Sequence, residues 1–340
     1  MKKWNRPLLA ALAGIGLSGV AAAQAINAAG ATFPYPIYSR WFDAFNKLHS
    51  GIEINYQSIG SGGGITQLEE GTVDFAASDR PMTDAEIKAC KDKPLHFPTV
   101  LGAVVVTYNL PSVKEDLKLT PRVIAAIYML KITKWNDAQI AKLNPGVKLP
   151  HADILVIHRA EGSGTTFIFT DFLSKTSPEW KSAVGADQSP KWPGGLGQKG
   201  NEAVAGMVKQ TEGAVGYVEL AYVLQNHMQS AVVQNAAGQF VKAGLDTVTA
   251  AAAGAAKSLP ADFRVSITNA PGKSSYPISS FTWLLIPSKI PDPKKRAAIT
   301  GFLKWMLTDG QKIAPQAPLY YAPLPREVIA KETKQIGEIQ

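Results

Sequence analysis

The chain has 340 residues, 46% of them hydrophobic and 18% charged, with a formal net charge of +8. That length favours two domains, and the composition is that of a globular protein with sizeable cores, which excludes a disordered or fibrous chain. Cys90 is the only cysteine, which excludes an internal disulfide and a cysteine-built metal site.

The N-terminus carries Lys2, Lys3 and Arg6, then an apolar stretch over residues 8–20, then Ala21, Ala22, Ala23 and Ala25. This pattern predicts a secretory signal peptide over residues 1–25, cleaved after Ala23 or Ala25, and the stretch is too short for a comfortable transmembrane anchor. Without its three basic residues the remainder holds 32 basic and 27 acidic residues, a charge of +5. So mild and dispersed an excess does not suit nucleic-acid binding. The densest basic cluster, Lys294, Lys295 and Arg296, reads as a solvated helix face.

In chain order, Ile37, Trp41, Phe45 and Leu48 recur at helical spacing, and Gly51 is a stop signal. Ile52, Ile54 and Tyr56 alternate with Glu53, Asn55 and Gln57, the period of a half-buried strand. Gly60-Ser61-Gly62-Gly63-Gly64 leads into a short helix over residues 65–70. Residues 73–78 read as a strand ending at Asp79, and Thr83 with Glu86 forms a capping box for the next helix. The β-branched run 101–108 fits a strand buried on both faces. Thr120-Pro121 opens a helix through Leu130. Strands follow at 154–157, ending at His158-Arg159, and at 214–220 and 281–286. The alanine run 250–256 predicts an exposed or lightly packed helix. Asp292-Pro293 starts a helix with apolar Ile299, Phe302, Leu303, Met306 and Leu307, stopped by Gly310. Strands alternating with helices predict an α/β fold with mainly parallel sheets, whose ligands bind outside the carboxyl ends of the strands. Ser61, Asp79 and Arg159 all fall there.

The sharpest motif runs from His158 to Thr166, between a strand and an apolar helix. A glycine-flanked turn into a helix exposes unpaired N–H groups at the positive end of the helix dipole. Ser163 and Thr165 add hydroxyls, and Arg159 adds a planar fork suited to a tetrahedral oxyanion. A plain cap with a surface Arg159–Glu161 pair would explain only part of that set. The glycine-rich stretch around Ser61 fits close backbone approach to a ligand or an ordinary turn equally well, and no lysine completes a P-loop. Asp79 suits an anion site only if the anion carries a proton for the carboxylate to accept, as inorganic phosphate does and sulfate does not; a turn cap is the plain alternative. Gly195-Leu196-Gly197-Gln198-Lys199-Gly200 matches G-x-G-x-x-G, but the residues before it do not make the required central strand, so it reads as a loop and helix start. A hydrolase built on Ser163 and His158 would lack the G-x-S-x-G elbow and an acid to orient the histidine. The five histidines, His49, His96, His151, His158 and His227, show no metal-ligand spacing and read as surface or loop residues.

The chain resembles the periplasmic phosphate-binding proteins, the substrate-binding component of the high-affinity phosphate importer of the ABC type. The resemblance is densest in Gly30-Ala31-Thr32-Phe33-Pro34, residues 56–63, residues 72–79 and residues 159–165, with further matches at Lys134-Trp135, residues 143–146, Lys191-Trp192-Pro193 and residues 213–219. It implies a two-lobed periplasmic binding protein of type II, each lobe a mixed, mainly parallel sheet flanked by helices, with a hinge of two chain crossings. Domain I would comprise residues 26–102 and 281–340, and domain II residues 103–280. It further implies that Thr32, Ser61, Ser163 and Thr165 donate hydroxyls to phosphate, with backbone N–H groups from Phe33, Gly164 and Thr165. Arg159 would give charge-assisted bonds, Asp79 would accept the phosphate proton, and Glu161 would support Arg159 as an ion pair. The implied protein is a monomer without catalysis, cofactor or metal. Its partners would be hydrogen or dihydrogen phosphate and inner-membrane permease subunits, with no nucleic acid. Glu161 stands where the family commonly has an aspartate, and Gly62 where a second serine often follows. An adhesin or scaffold that had lost binding would not need Thr32, Ser61, Asp79 and Arg159 together.

Overall fold

The computed structural model describes residues 24–256 and 259–340, so the expected signal peptide, apart from Gln24 and Ala25, lies outside the described residues. The chain begins with β1 (Gln24–Gly30), α1 (Tyr35–Leu48), β2 (Ile52–Ser58), α2 (Ser61–Glu69), β3 (Phe75–Ser78), α3 (Asp84–Ala89) and the long β4 (Pro94–Tyr108). It continues with β5 (Lys118–Leu119), α4 (Pro121–Tyr128), α5 (Ala138–Leu143), β6 (Leu155–Arg159), α6 (Gly164–Thr176) and α7 (Pro178–Ala183). Next come β7 (Leu196–Gln198), α8 (Gly200–Gln210), β8 (Ala214–Glu219), α9 (Leu220–Asn226), β9 (Gln229–Ser230), β10 (Val232–Gln234), β11 (Phe240–Val241) and α10 (Leu245–Ala256). It returns through β12 (Ser279–Pro287), α11 (Pro293–Trp305), α12 (Gln311–Ile313) and α13 (Arg326–Gln335).

Local chemistry explains most helix starts. Thr120 accepts from the Val123 N–H with Pro121 in the first turn, and Asp292 accepts from the N–H groups of Lys294 and Lys295. Thr83 and Glu86 make the reciprocal capping box. Several expectations need correction where packing overrides the local signal. Leu48 ends α1 in solvent at 66% exposure, while Tyr38 and Phe42 complete the buried stripe. The glycines 62–64 lie inside α2, which begins at Ser61 and not at residue 65. Gly310 does not stop its helix: α11 runs through a π-helical turn at Met306–Gly310 into α12, and the Gly310 carbonyl accepts the Trp41 indole N–H at 2.9 Å. The alanine-rich α10, by contrast, is lightly packed as expected, burying Val248, Ala251 and Ala252 and exposing Ala253. His96 is a core residue of β4, its Nε2 accepting the Met82 N–H at 3.0 Å, and burial lowers its pKa to about 4. Residues 196–198 of the G-x-G-x-x-G stretch form the edge strand β7.

The main sheet runs β2-β1-β3-β12-β4-β8-β6-β7, with β9 beside β4. β1 pairs parallel with β2 and β3, and β6 pairs parallel with β7 and β8. The antiparallel pairs β3–β12, β12–β4 and β4–β8 occupy the middle. One strand serves both halves: residues 94–103 of β4 pair with β12, and residues 104–108 pair with β8. The outgoing and returning chain pass side by side, Ala103 opposite Ser279 and the Val104 N–H donating to the Ile278 carbonyl at 2.9 Å. A three-stranded sheet, β11-β10-β5, lies on the second half.

Trp41, Trp135, Trp180 and Trp283 are the largest fully buried side chains, and each indole N–H reaches a backbone carbonyl (Gly310, Gly213, Gly185 and Phe263). Burying that much aromatic surface without orphaning its one donor is what lets tryptophan fill a core. At the end of β1 the chain turns at Gly30 with φ +143°, and a Cβ there would lie 2.0 Å from the Ala77 carbonyl oxygen. Gly30→Ala is therefore expected to lower unfolding free energy by at least about 2 kcal/mol, read as a shifted urea midpoint.

Candidate functional site

Four strand ends and two helix starts converge on one cleft. Thr32 and Phe33 follow β1, Ser61 opens α2 after β2, and Asp79 follows β3. From the other half, Arg159 ends β6, while Ser163, Gly164 and Thr165 open α6. The structure brings all eight residues together. Ser61 Oγ accepts the Asp79 N–H at 3.1 Å, and Arg159 Nη1 lies 3.4 Å from Thr165 Oγ1. Gly164 touches the opposite wall, since a Cβ there would sit 2.3 Å from Ser61 Oγ and 2.6 Å from Asp79 Cβ. Thr32, Ser61, Asp79, Arg159, Ser163 and Thr165 are each 3% exposed or less. The cleft is closed: the Gly62 N–H donates to the Gly162 carbonyl at 2.9 Å, and Arg80 Nε donates to Gln188 Oε1 at 3.0 Å.

The backbone after β1 is held from behind. The carbonyls of Ala31, Thr32 and Phe33 each accept a tyrosine hydroxyl, from Tyr56 at 2.7 Å, Tyr222 at 2.6 Å and Tyr321 at 2.7 Å. In a trans peptide the N–H points opposite to the carbonyl before it. Pinning the Ala31 and Thr32 carbonyls therefore sets the directions of the Thr32 and Phe33 N–H groups.

Arg159 is oriented by Glu161. Its Nε donates to Glu161 Oε1 at 2.8 Å and its Nη2 to the same oxygen, which also accepts the Gly200 N–H at 3.0 Å. Burial opposes the charge of Glu161, but the Arg159 bonds and charge and the Gly200 N–H together hold its pKa below the usual carboxylate range. The glutamate thus preserves the ion pair expected of a shorter aspartate, and Arg159 Nη1 stays on the Thr165 side.

Asp79 has no such cation in contact. Its Oδ1 accepts the Thr282 hydroxyl at 2.9 Å, and the Ser61 hydroxyl lies 3.5 Å from Oδ2. Burial pushes its pKa from 3.8 to about 7, against the opposing pull of the Thr282 bond, the Arg159 charge and the Ser61 bond.

Sequence reasoning missed several members of this network. Asn201, fully buried at the start of α8, donates from Nδ2 to Thr32 Oγ1 at 2.7 Å and to Thr165 Oγ1 at 3.0 Å. It lies one residue past the G-x-G-x-x-G stretch, whose glycine pattern pointed to a different chemistry. Tyr217 accepts the Arg159 N–H at 3.1 Å, and Thr282 and Gln188 hold Asp79 and Arg80; no short motif marks any of them. His158 stacks on Trp192 with ring centroids 4.8 Å apart, and its Nδ1 lies 2.9 Å from the Arg159 carbonyl. It is a packing residue. Among the described residues no group of three or more His, Cys, Asp and Glu side chains is placed to hold a metal.

A family model described as a PBP superfamily domain matches residues 18–310. The chain is 46% identical over 305 residues to "Phosphate-binding protein PstS" of Xylella fastidiosa, covering 89% of this chain and 82% of that one. It is 46% identical over 310 residues to the protein of the same name from Pasteurella multocida, covering 91% and 89%. Among solved structures, a phosphate-binding protein from Stenotrophomonas maltophilia shares the fold at TM-score 0.71, with 22% identity and coverage of 92% and 94%. A putative phosphate ABC transporter substrate-binding protein with bound phosphate, from Clostridium perfringens, shares it at TM-score 0.65, with 19% identity and coverage of 89% and 100%.

A carboxyl group whose pKa is raised on folding keeps its proton while the unfolded chain loses it. Asp79 therefore costs stability increasingly from about pH 4 until it ionises itself near 7. Asp79→Asn does not titrate, so without ligand its stability advantage over the parent is expected to grow across that window. The advantage should reach at most about 4 kcal/mol and level off above it. Urea denaturation at stepped pH measures this, and a margin independent of pH would show that Asp79 ionises normally in the folded chain.

Proposed function

The chain belongs to the phosphate-binding proteins of the PBP superfamily, substrate-binding components and not enzymes, and from that premise we propose that it captures inorganic phosphate in the periplasm and delivers it to the permease subunits of an ABC importer. The observation that carries this reading is the donor count of the closed cleft. Four hydroxyls, the Arg159 guanidinium and the N-terminal turn of α6 face a single acceptor, Asp79. That set matches a tetrahedral dianion with one proton.

In this reading Thr32, Ser61, Ser163 and Thr165 donate hydroxyls, and Phe33, Gly164 and Thr165 donate N–H groups. Arg159 supplies charge, and Asp79 accepts the proton of the bound ion. Once Asp79 is ionised, above about pH 7, sulfate brings no proton and would meet the buried carboxylate oxygen to oxygen. Capture closes a hinge at the two crossings beside Ala103 and Ser279, between a domain of residues 26–102 with 281–340 and a domain of residues 103–280. The protein acts as a monomer and is exported by a signal peptide over residues 1–25, cleaved after Ala23 or Ala25.

Two titrations test the reading. Arg159→Ala removes a buried charge-assisted donor and strands Glu161, so phosphate affinity by calorimetry is expected to fall at least about 100-fold. An unchanged affinity would move the site elsewhere. At a pH above about 7, where Asp79 is ionised, sulfate is expected not to displace phosphate from the parent protein but to compete measurably in Asp79→Asn, whose amide donates where the carboxylate only repels. Equal competition in the unmutated protein would remove the selectivity role of Asp79.

A further inference from the structure

The four hydroxyls of the cleft can each act as donor or acceptor, and a phosphate site needs them as donors. In all four, a protein N–H already occupies a lone pair. Ser61 Oγ accepts the Asp79 N–H at 3.1 Å, and Ser163 Oγ accepts the Thr166 N–H at 3.1 Å. Thr32 Oγ1 accepts twice, from the Asn201 N–H at 3.2 Å and from Asn201 Nδ2 at 2.7 Å. Thr165 Oγ1 also accepts twice, from Asn201 Nδ2 at 3.0 Å and Arg159 Nη1 at 3.4 Å. A hydroxyl oxygen has two lone pairs, so both threonines are left with only a proton to offer.

The amide orientation of Asn201 is fixed by its third contact. Its Oδ1 accepts the Glu219 N–H at 2.9 Å, and because that backbone group can only donate, the amide nitrogen must face the two hydroxyls. Asn201 sits in the second half of the fold with Thr165, while Thr32 comes from the first, so the same amide also ties the two walls together.

We infer that Asn201 is a positioning residue that orders the protons of the site: by donating to the hydroxyl oxygens of Thr32 and Thr165 it leaves both hydroxyl protons for the bound oxyanion. Without it Thr165 keeps only the long 3.4 Å contact from Arg159 Nη1, which leaves a lone pair free to face an anionic oxygen. Thr32 keeps its bond from the Asn201 backbone N–H, so the loss falls chiefly on Thr165. The inference rests on the phosphate reading given above.

The test is a double-mutant cycle in the full mature chain, with inorganic phosphate titrated calorimetrically into the parent, Asn201→Ala, Thr165→Val and the double variant. Asn201→Ala is expected to weaken binding at least about tenfold, and Thr165→Val comparably. In the double variant, Asn201→Ala is expected to add no more than about twofold to the loss, because the hydroxyl through which it acts is gone. A structural role alone would add its full effect. Full additivity, or Asn201→Ala binding within twofold of the parent, overturns the inference. Thr165→Val binding as tightly as the parent overturns instead the ligand set on which the inference rests. The isosteric Asn201→Asp keeps the acceptor for the Glu219 N–H but turns the donor into an oxygen that takes the hydroxyl protons. It is expected to bind more weakly than Asn201→Ala and serves in its place if the alanine variant does not fold. Equal or tighter binding by Asn201→Asp than by Asn201→Ala also overturns the inference, as does parent-like binding by Asn201→Asp where the alanine variant cannot be measured.

Discussion

A guanidinium and a carboxylate held out of water in one cleft constrain everything around them. Arg159 and Asp79 are both 3% exposed or less, and removing a charge from water costs several kcal/mol unless partners replace the lost hydration. The two are treated differently. Arg159 has a full counter-charge in Glu161, whose Oε1 is steadied in turn by the Gly200 N–H. Asp79 has only hydroxyls, from Thr282 and Ser61, so burial raises its proton affinity. A cation beside Asp79 would stabilise its charge but remove that property.

The sheet sets how these groups meet. Parallel strands end on the same side, which places Thr32, Ser61 and Asp79 together on one wall and Arg159 with the start of α6 on the other. The strand β4, shared between both halves, carries one wall to the other with the returning chain beside it. Polar contacts that join the walls include Gly62 to Gly162, Arg80 to Gln188, and both Asn201 and Tyr222 to Thr32. Gly164, whose backbone lies against Ser61 and Asp79, permits that approach because it has no side chain.

Much of this was legible in residue order, and the failures have physical reasons. The caps at Thr83, Thr120 and Asp292 were readable because a cap is settled within four residues of chain. The first third of β4 was not, since Pro94 and Pro98 argue against a central strand. The sheet accommodates Pro98 through a register shift opposite Thr282 and Trp283, and Thr99 there turns its hydroxyl to the Thr282 carbonyl at 3.2 Å. Gly310 carried a stop signal that the Trp41 indole overrides from the other end of the chain. Asn201 hid behind a glycine pattern better known for another ligand, and its partners Thr32 and Thr165 lie 169 and 36 residues away.

Residue order alone determined the α/β class and a helix start carrying an arginine and two hydroxyls, and it predicts a secretory N-terminus. Each of these depends on neighbours within one turn or one strand. Resemblance added the two-lobed form and the expectation of a phosphate ligand set. Only the tertiary structure decided the proton inventory: that Asp79 holds a raised pKa, and that every hydroxyl of the cleft accepts an N–H. Both depend on burial and on donors from distant segments, and neither burial nor a through-space hydrogen bond is written in local spacing.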